Sequence, residues 1–209
     1  MCYTKENKVQ GFTLVELLIS MALALIIIGS LATTFISQRK AFDVQEQIAE
    51  MTQGARAAMD MMSREIRMAG YNPTGSMQTS DPSTATFVGI PYAANQIQII
   101  ADLNEDNSND DPNENIIYLY DATNKQIDRN TGSGNQPFAE NIKSFQFSFW
   151  AADGTEITSS AGQADIRMIK ITIVAKTAKE DPNYTHPVNA DRYRTFELVS
   201  DITPPNLGF

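Results

Sequence analysis

Of 209 residues one is cysteine, Cys2, and one is histidine, His186. A single cysteine closes no intramolecular disulfide, so an exported domain built from this chain must rely on core burial or on a metal for stability. With no second thiol and no Gly-x-Ser-x-Gly elbow, the usual nucleophile and base pairings are missing. His186 lies alone in the loop Asp181-Pro182-Asn183-Tyr184-Thr185-His186-Pro187 and reads as solvated. Gly132-Ser133-Gly134 lacks the strand-before, helix-after context of a phosphate loop and reads as a turn, while Asn183-Tyr184-Thr185 fits a glycosylation triplet of a kind common by chance in loops. These absences point away from an enzyme. Basic charge is also scarce. Lys and Arg number 16 against 25 Asp and Glu, for a net charge of −9, and an acidic chain without clustered Lys and Arg is a poor partner for nucleic-acid phosphates.

Charge of either sign is missing altogether from residues 17–38, where Leu, Ile, Ala, Met and Phe dominate. At about 1.5 Å per residue the run covers the ~30 Å of a bilayer's hydrocarbon core. Lys5 and Lys8 precede it and Arg39 and Lys40 follow it, so positive charge is nearly balanced and does not fix the orientation. An ordinary secretory signal would use Lys5 and Lys8, the apolar residues 17–28 and a small-residue cleavage site at Ser30-Leu31-Ala32. A plain single-span anchor would leave Glu16 near the interface, where a carboxylate costs less than the roughly 2.5–3.5 kcal/mol of the bilayer centre. Neither reading accounts for the whole stretch from Gly11 onward.

Gly11-Phe12-Thr13-Leu14-Val15-Glu16, set between a short polar leader and the apolar run, resembles the class III signal of type IV prepilins and type II secretion pseudopilins. The resemblance implies that a membrane-embedded prepilin peptidase cuts on the cytoplasmic side between Gly11 and Phe12, methylates the new amine of Phe12, and leaves the apolar segment in place. It also gives Glu16 a role. Such a cut exposes an α-amino group of pKa about 7.7–8.0 at the start of a helix, whose dipole favours an anion nearby. In a filament core that excludes water, an unpaired carboxylate or ammonium carries a penalty of several kcal/mol. In the family the glutamate of an incoming subunit pairs with the amine of a neighbour and so sets the axial register. Pairing of Glu16 with its own N-terminus is the alternative. Loss of residues 1–11 would remove Cys2 and leave no thiol, a departure from the many major pilins that close a C-terminal loop with a disulfide.

Past the apolar run, Val44, Ile48, Met51, Ala55, Met59 (or Ala58), Met62, Ile66 and Ala69 recur three and four apart, the stripe of an amphipathic helix. Glu46, Glu50, Arg56, Asp60, Arg64 and Arg67 fall off it. Gly70 and Pro73 predict a stop near Ala69, hence a helix of roughly 87 Å counted from Phe12, with bends expected at Gly29 and Gly54. Met51, Met59, Met61, Met62 and Met68 read as core packing against a sheet. Arg64, Glu65 and Arg67 read either as a solvated charged face or as an inter-subunit contact. Residues 58–71, from Ala58-Met59-Asp60 to Ala69-Gly70-Tyr71, resemble the helix end of minor pilins of the PilW/PulJ type.

After Pro73 the period changes to two. Residues 95–101, 116–120, 142–150, 166–175 and 196–202 read as strands, separated by turn signals such as Asp153-Gly154. In Phe145-Gln146-Phe147-Ser148-Phe149 and in residues 167–173 the alternation implies one face on the helix and one in water. The expected fold is α+β and pilin-like: a long N-terminal helix, membrane-spanning in its first half, packed on an antiparallel sheet. Its expected divisions are a cleaved leader at 1–11, a transmembrane or filament-core helix at 12–38, an amphipathic continuation at 39–70 and a globular β head at 71–209.

One segment is compositionally odd. Residues 102–114 set oxygen donors at alternate positions, as at the start of D-x-[DN]-x-[DN] calcium loops. With Asp102 in the first place, Asn104, Asp106, Ser108 (through its carbonyl) and Asp110 fill the next four ligand places, and Asn107 takes the place of the turn glycine. Asn113 occupies the twelfth place and Glu114 the next, so the bidentate carboxylate is displaced. The segment is either a calcium site or a solvated acidic hairpin loop, and no other cofactor is implied. The resemblance as a whole implies a structural subunit, a minor pilin at or near the tip of a type IV pilus. Its implied partners are the prepilin peptidase, other major and minor pilins, the inner-membrane assembly platform and the membrane, with no nucleic acid. Its implied place is the inner membrane, head outside the cytoplasm, before assembly and the pilus or cell surface afterwards. Minor pseudopilin J of type II secretion shares the motif and the helix. A membrane-tethered calcium-binding or adhesive domain that never polymerises is the alternative of a different class.

Overall fold

The structure, a computed structural model, describes residues 11–75 and 87–208. The leader, Gly11 apart, therefore lies outside the described residues. The first element, α1 (Leu14–Met68), is 55 residues long and continues as an unbroken α-helix through Gly29 and Gly54. Its start is fixed by Thr13-Leu14-Val15-Glu16: the Thr13 hydroxyl accepts from the Glu16 amide at 3.3 Å while the Glu16 carboxylate accepts from the Thr13 amide at 2.9 Å. That reciprocal capping box satisfies two of the amides a helix start leaves open.

The chain divides into two compact units, Met1–Glu46 and Gln47–Phe209, so the division falls inside α1 and its last six turns fold with the sheets. In the first unit the large apolar side chains between Phe12 and Phe42 are exposed, and this is the one helix long and apolar enough to cross a membrane among the described residues. In the second unit α1 buries Ala55, Ala58, Met59, Met62, Glu65 and Ile66, the stripe expected from the spacing. Of the methionines, Met59 and Met62 are buried, Met51 packs against the core, and Met61 is 42 % exposed. Arg64 and Arg67 are exposed but Glu65 is not, which corrects the reading of these three as one charged surface.

The helix ends where sequence predicts. Gly70 takes φ 79°, the left-handed conformation usual just past a helix, and its amide donates to the carbonyl of Ile100 at 2.9 Å. The amide of Ile100 in turn donates to the carbonyl of Gly89 at 2.8 Å. The two glycines thus meet across the end of a strand. A Cβ on Gly89 would lie 2.3 Å from the Gly70 nitrogen and 2.4 Å from its Cα, and backbone cannot swing aside as a side chain can. Gly89→Ala is expected to destabilise the fold by more than about 3 kcal/mol, beyond the common range for point substitutions. Gly54→Ala is expected to stabilise it by about 0.5–1 kcal/mol, because a Cβ there meets nothing within 4 Å and an exposed helical glycine only adds backbone freedom to lose. Thermal unfolding of the two variants checks both signs.

Among the described residues eight strands follow in two four-stranded antiparallel sheets, where the sequence suggests one. The first is a meander, β1 (Gln96–Ile100), β2 (Asn115–Asp121), β3 (Gln126–Asn130) and β4 (Gln136–Ala139), hydrogen-bonded in that order. The second contains β5 (Ile142–Trp150), β6 (Glu156–Ile157), β7 (Met168–Lys176) and β8 (Thr195–Ile202) in the order β6-β5-β7-β8. Register places Ile97 opposite Tyr118 and Ile99 opposite Ile116 in the first sheet, and Phe145, Phe147 and Phe149 opposite Ile173, Ile171 and Ile169 in the second. Because side chains alternate across a strand, each register delivers one apolar face. Both faces and the buried stripe of α1 join in a single core. The Tyr120 hydroxyl, 3.0 Å from the carbonyl of Ile142 and 2.8 Å from that of Lys143, ties the first sheet to the start of the second.

Candidate functional site

At the helix N-terminus Gly11 and Phe12 form exposed, non-helical chain, with Phe12 85 % exposed and nothing within 4 Å of a Cβ built on Gly11. A junction of this kind is open to an enzyme's cleft. Glu16, three residues past Thr13, turns its carboxylate back toward the junction, where Oε2 accepts from the Thr13 amide at 2.9 Å and the Thr13 hydroxyl at 2.8 Å. Thr13 was overlooked in the sequence although its T-x-x-E spacing is legible.

In the second unit, the interior of α1 carries a charge. Glu65 accepts from Arg129 Nη2 at 2.8 Å and Arg129 Nε at 3.2 Å, a two-pronged pair, and from the Tyr118 hydroxyl. The Glu65 side chain is 9 % exposed and that of Arg129 19 %. Burial, and then the adjoining Glu65 carboxylate, push the Tyr118 hydroxyl pKa well above that of a free tyrosine, so Tyr118 stays a neutral donor. Arg129 Nη2 also reaches Asn113 Oδ1 at 2.9 Å. Helix, first sheet and the end of the acidic segment are thereby joined through one guanidinium.

The acidic segment is the β1–β2 connection. Asp102 is buried, its two oxygens accepting from the amides of Glu105 at 2.7 Å and Asn107 at 3.2 Å. Glu114, at the other end, accepts from the amides of Leu103 at 2.8 Å and Asn104 at 3.2 Å through Oε1. Asn104 Oδ1 accepts from the Asp106 amide and Asp106 Oδ1 from the Ser108 amide. The Ser108 amide, then its hydroxyl, hold the Asp106 carboxyl below the ordinary aspartate value. The Ser108 hydroxyl also bonds Asp110. Of the six residues read from the sequence as ligands, the structure brings Asp106 and Asp110 together and adds Asp111: one carboxylate oxygen from each lies within 4.8 Å of the others. Asp102 and the Glu114 Oε1 are spent on backbone amides at the base of the loop. Asp111 was outside the D-x-[DN]-x-[DN] register and so was missed.

His186 is used structurally rather than solvated. Its Nε2 lies 3.1 Å from Thr195 Oγ1 and its Nδ1 accepts from the amides of Val188 and Asn189 at 3.2 and 3.3 Å. The same connection is pinned by Arg194 on Asp181 at 2.8 Å and Lys143 on Asp191 at 2.7 Å. The guanidinium of Arg194 holds the Asp181 carboxyl below its usual value.

A capped N-terminal helix with an open Gly-Phe junction, an apolar first half and a second half packed on antiparallel sheets defines a type IV pilin-like protein, a structural subunit and not an enzyme. Residues 7–32 match the prokaryotic N-terminal methylation motif. Residues 44–192 match the family of prepilin peptidase-dependent protein B, and the chain belongs to that family. Among solved structures it is similar to a type IV-like pilin from Thermus thermophilus at 10 % identity and a TM-score of 0.47, over 76 % of this chain and 97 % of that one. No curated protein matches the chain.

Proposed function

We propose that this chain is a minor pilin of the PilW type, made as a prepilin, cleaved between Gly11 and Phe12, N-methylated on Phe12 and assembled at or near the tip of a type IV pilus. The observation that carries this reading is the exposed Gly11–Phe12 junction directly ahead of a capped helix whose apolar side chains, from Leu14 to Phe42, are left uncovered. Such a surface needs lipid before assembly and neighbouring helices after it. Residues 12–38 are the membrane and filament-core segment, 39–70 its amphipathic continuation and 71–209 the head, which faces away from the cytoplasm. The partners are the prepilin peptidase, other major and minor pilins and the inner-membrane assembly platform.

Coexpression with a prepilin peptidase is expected to give a mature N-terminus at Phe12 carrying one methyl group, read by mass spectrometry, and Gly11→Leu is expected to stay full length. The mature chain is expected in filaments sheared from the cell. An N-terminus at Thr33 would replace this reading with an ordinary secretory signal, and recovery only with a secretion apparatus would make the protein a type II pseudopilin.

A further inference from the structure

We propose that the open edge of β5, residues 144–148, takes up an extended, acidic peptide segment of a partner protein as an added strand. Such a site goes beyond the pilin reading and does not depend on it. β5 pairs with β7 along its length, but its other neighbour, β6, reaches only Phe149 and Trp150. The opposite end of β5 is covered too: the Ile142 amide donates to the Lys125 carbonyl at 2.8 Å, and the Tyr120 hydroxyl bonds the carbonyls of Ile142 and Lys143. Between these two covers, residues 144–148 have no strand beside them on that side among the described residues. An edge left in this way is a row of backbone donors and acceptors able to pair with another chain.

The edge is also unguarded. Natural sheets keep other chains off their edges with charge, with proline or by making the edge strand very short. β4 carries Pro137, β8 carries Glu197 and Asp201, and β6 is two residues long. Ser144-Phe145-Gln146-Phe147-Ser148 has none of these devices. A cleft of about 660 Å³ runs along it, with Ala94, Asn95 and Tyr120 as the other wall, a volume in the range of ligand clefts, roughly 300–1,000 Å³.

The walls state what fits. Side chains of an added strand alternate between the two faces of the sheet, so those pointing inward meet Phe145 and Phe147, and those pointing outward meet Gln146 and Ser148. The inward places suit β-branched apolar residues. On the outward face stands Lys170, the one charged side chain that lines the cleft among the described residues. It lies opposite Ser148 across the β5–β7 pair, so only a short side chain separates it from the open edge. Asp201 faces it from β8, yet the two form no ion pair among the described residues, and Lys170 is exposed. A carboxylate on the added strand supplies the counter-charge that Lys170 lacks, and that complementarity selects an acidic segment. A second copy of this chain fits less well: it would bring its whole sheet to the edge, where the wall at Ala94 and Asn95 leaves a cleft.

The test uses the full chain in detergent micelles and a fluorescein-labelled synthetic peptide of alternating valine and threonine with one glutamate in place of a threonine, followed by fluorescence anisotropy and hydrogen exchange. The peptide is expected to bind and to slow exchange across residues 144–148. N-methylation of its backbone amides, which removes the pairing donors and keeps the side chains, is expected to weaken binding more than about tenfold. Replacing its glutamate by lysine is expected to weaken binding about three- to fivefold, the scale of a partly exposed ion pair, and Lys170→Gln is expected to erase that preference. Ala94→Trp, at an exposed bend outside the strands, is expected to fill the cleft and abolish binding with thermal unfolding unchanged; should it not fold, Lys170→Gln, on the exposed face of β7, decides by itself. No binding, equal binding of the N-methylated peptide, a glutamate preference that survives Lys170→Gln, or wild-type binding by folded Ala94→Trp would each overturn the proposal. A chain that self-associates and becomes monomeric in Ala94→Trp would overturn it as well, by giving the edge to a second copy.

Discussion

Replacing Arg129 by methionine is expected to destabilise the folded second unit by about 3–5 kcal/mol, the cost of leaving a buried charge unpaired. Glu65 sits on the core side of α1 beneath β2 and β3, with only the Tyr118 hydroxyl to share its charge once the two guanidinium contacts at 2.8 and 3.2 Å are gone. Against a typical total of about 5–15 kcal/mol, that loss is a large fraction of stability. The opposite substitution is expected to cost less. In Glu65→Leu the orphan is Arg129, whose more exposed side chain can slide its guanidinium into water while its stem keeps packing. The pair Glu65→Leu with Arg129→Met is expected to recover much of the single Arg129 loss, the remaining cost coming from a Tyr118 hydroxyl without an acceptor, and Tyr118→Phe is expected to lessen it further. Thermal unfolding followed by near-ultraviolet circular dichroism ranks the variants. If Glu65→Leu proves more costly than Arg129→Met, the asymmetry argued from exposure is wrong.

The same network marks the limit of sequence reasoning. The apolar stripe of α1, its stop at Gly70 and strands β1, β2, β5, β7 and β8 were legible because each announces itself by a period set by local geometry. Glu65 lies on that stripe by spacing, three residues after Met62, yet its charge assigned it to the surface. Its charged partner, Arg129, comes from strand β3, Gln126–Asn130, which has one apolar residue in five and gives no alternation to read. β4 carries Pro137, tolerated because the strand is at the edge of its sheet, and β6 is two residues long. With three strands silent, the division into two sheets was silent too, since alternation states which way a strand faces and not which strand it pairs with. In the acidic loop the donor spacing was plain, but the fold of the loop depends on Glu105, Asn107 and Asn113 at φ 67°, 68° and 70°. Only Asn107 had been read as left-handed. Glu105 and Asn113 take the same conformation, and nothing in the donor spacing signals it.

Glu16→Val is expected to be processed and inserted as the wild type is, and to be depleted from filaments by more than tenfold. The valine removes a carboxylate from an apolar helix and so eases its residence in lipid, which is why membrane insertion should not suffer. Assembly should, because the amine created on a neighbouring Phe12 would enter a dry helix bundle without a counter-charge, at a cost of several kcal/mol, and each 1.4 kcal/mol is a factor of ten. The structure supplies a second job for the same side chain that valine also ends: the carboxylate caps the helix through the Thr13 amide and hydroxyl. Glu16→Gln separates the two. A glutamine at this place keeps the capping box but carries no charge for an amine, so it is expected to leave the helix start intact and still be depleted from filaments. Loss of a cap costs only about 0.5–2 kcal/mol and acts on the subunit alone, so wild-type incorporation of Glu16→Gln alongside exclusion of Glu16→Val would identify Glu16 as a capping residue. The measurements are the mature N-terminal mass, the amount of protein in the membrane fraction, and the amount in sheared filaments relative to that membrane pool. Wild-type incorporation of both variants would mean that Glu16 has no partner in the assembled state, the result expected only of a subunit with nothing beyond it at the filament end.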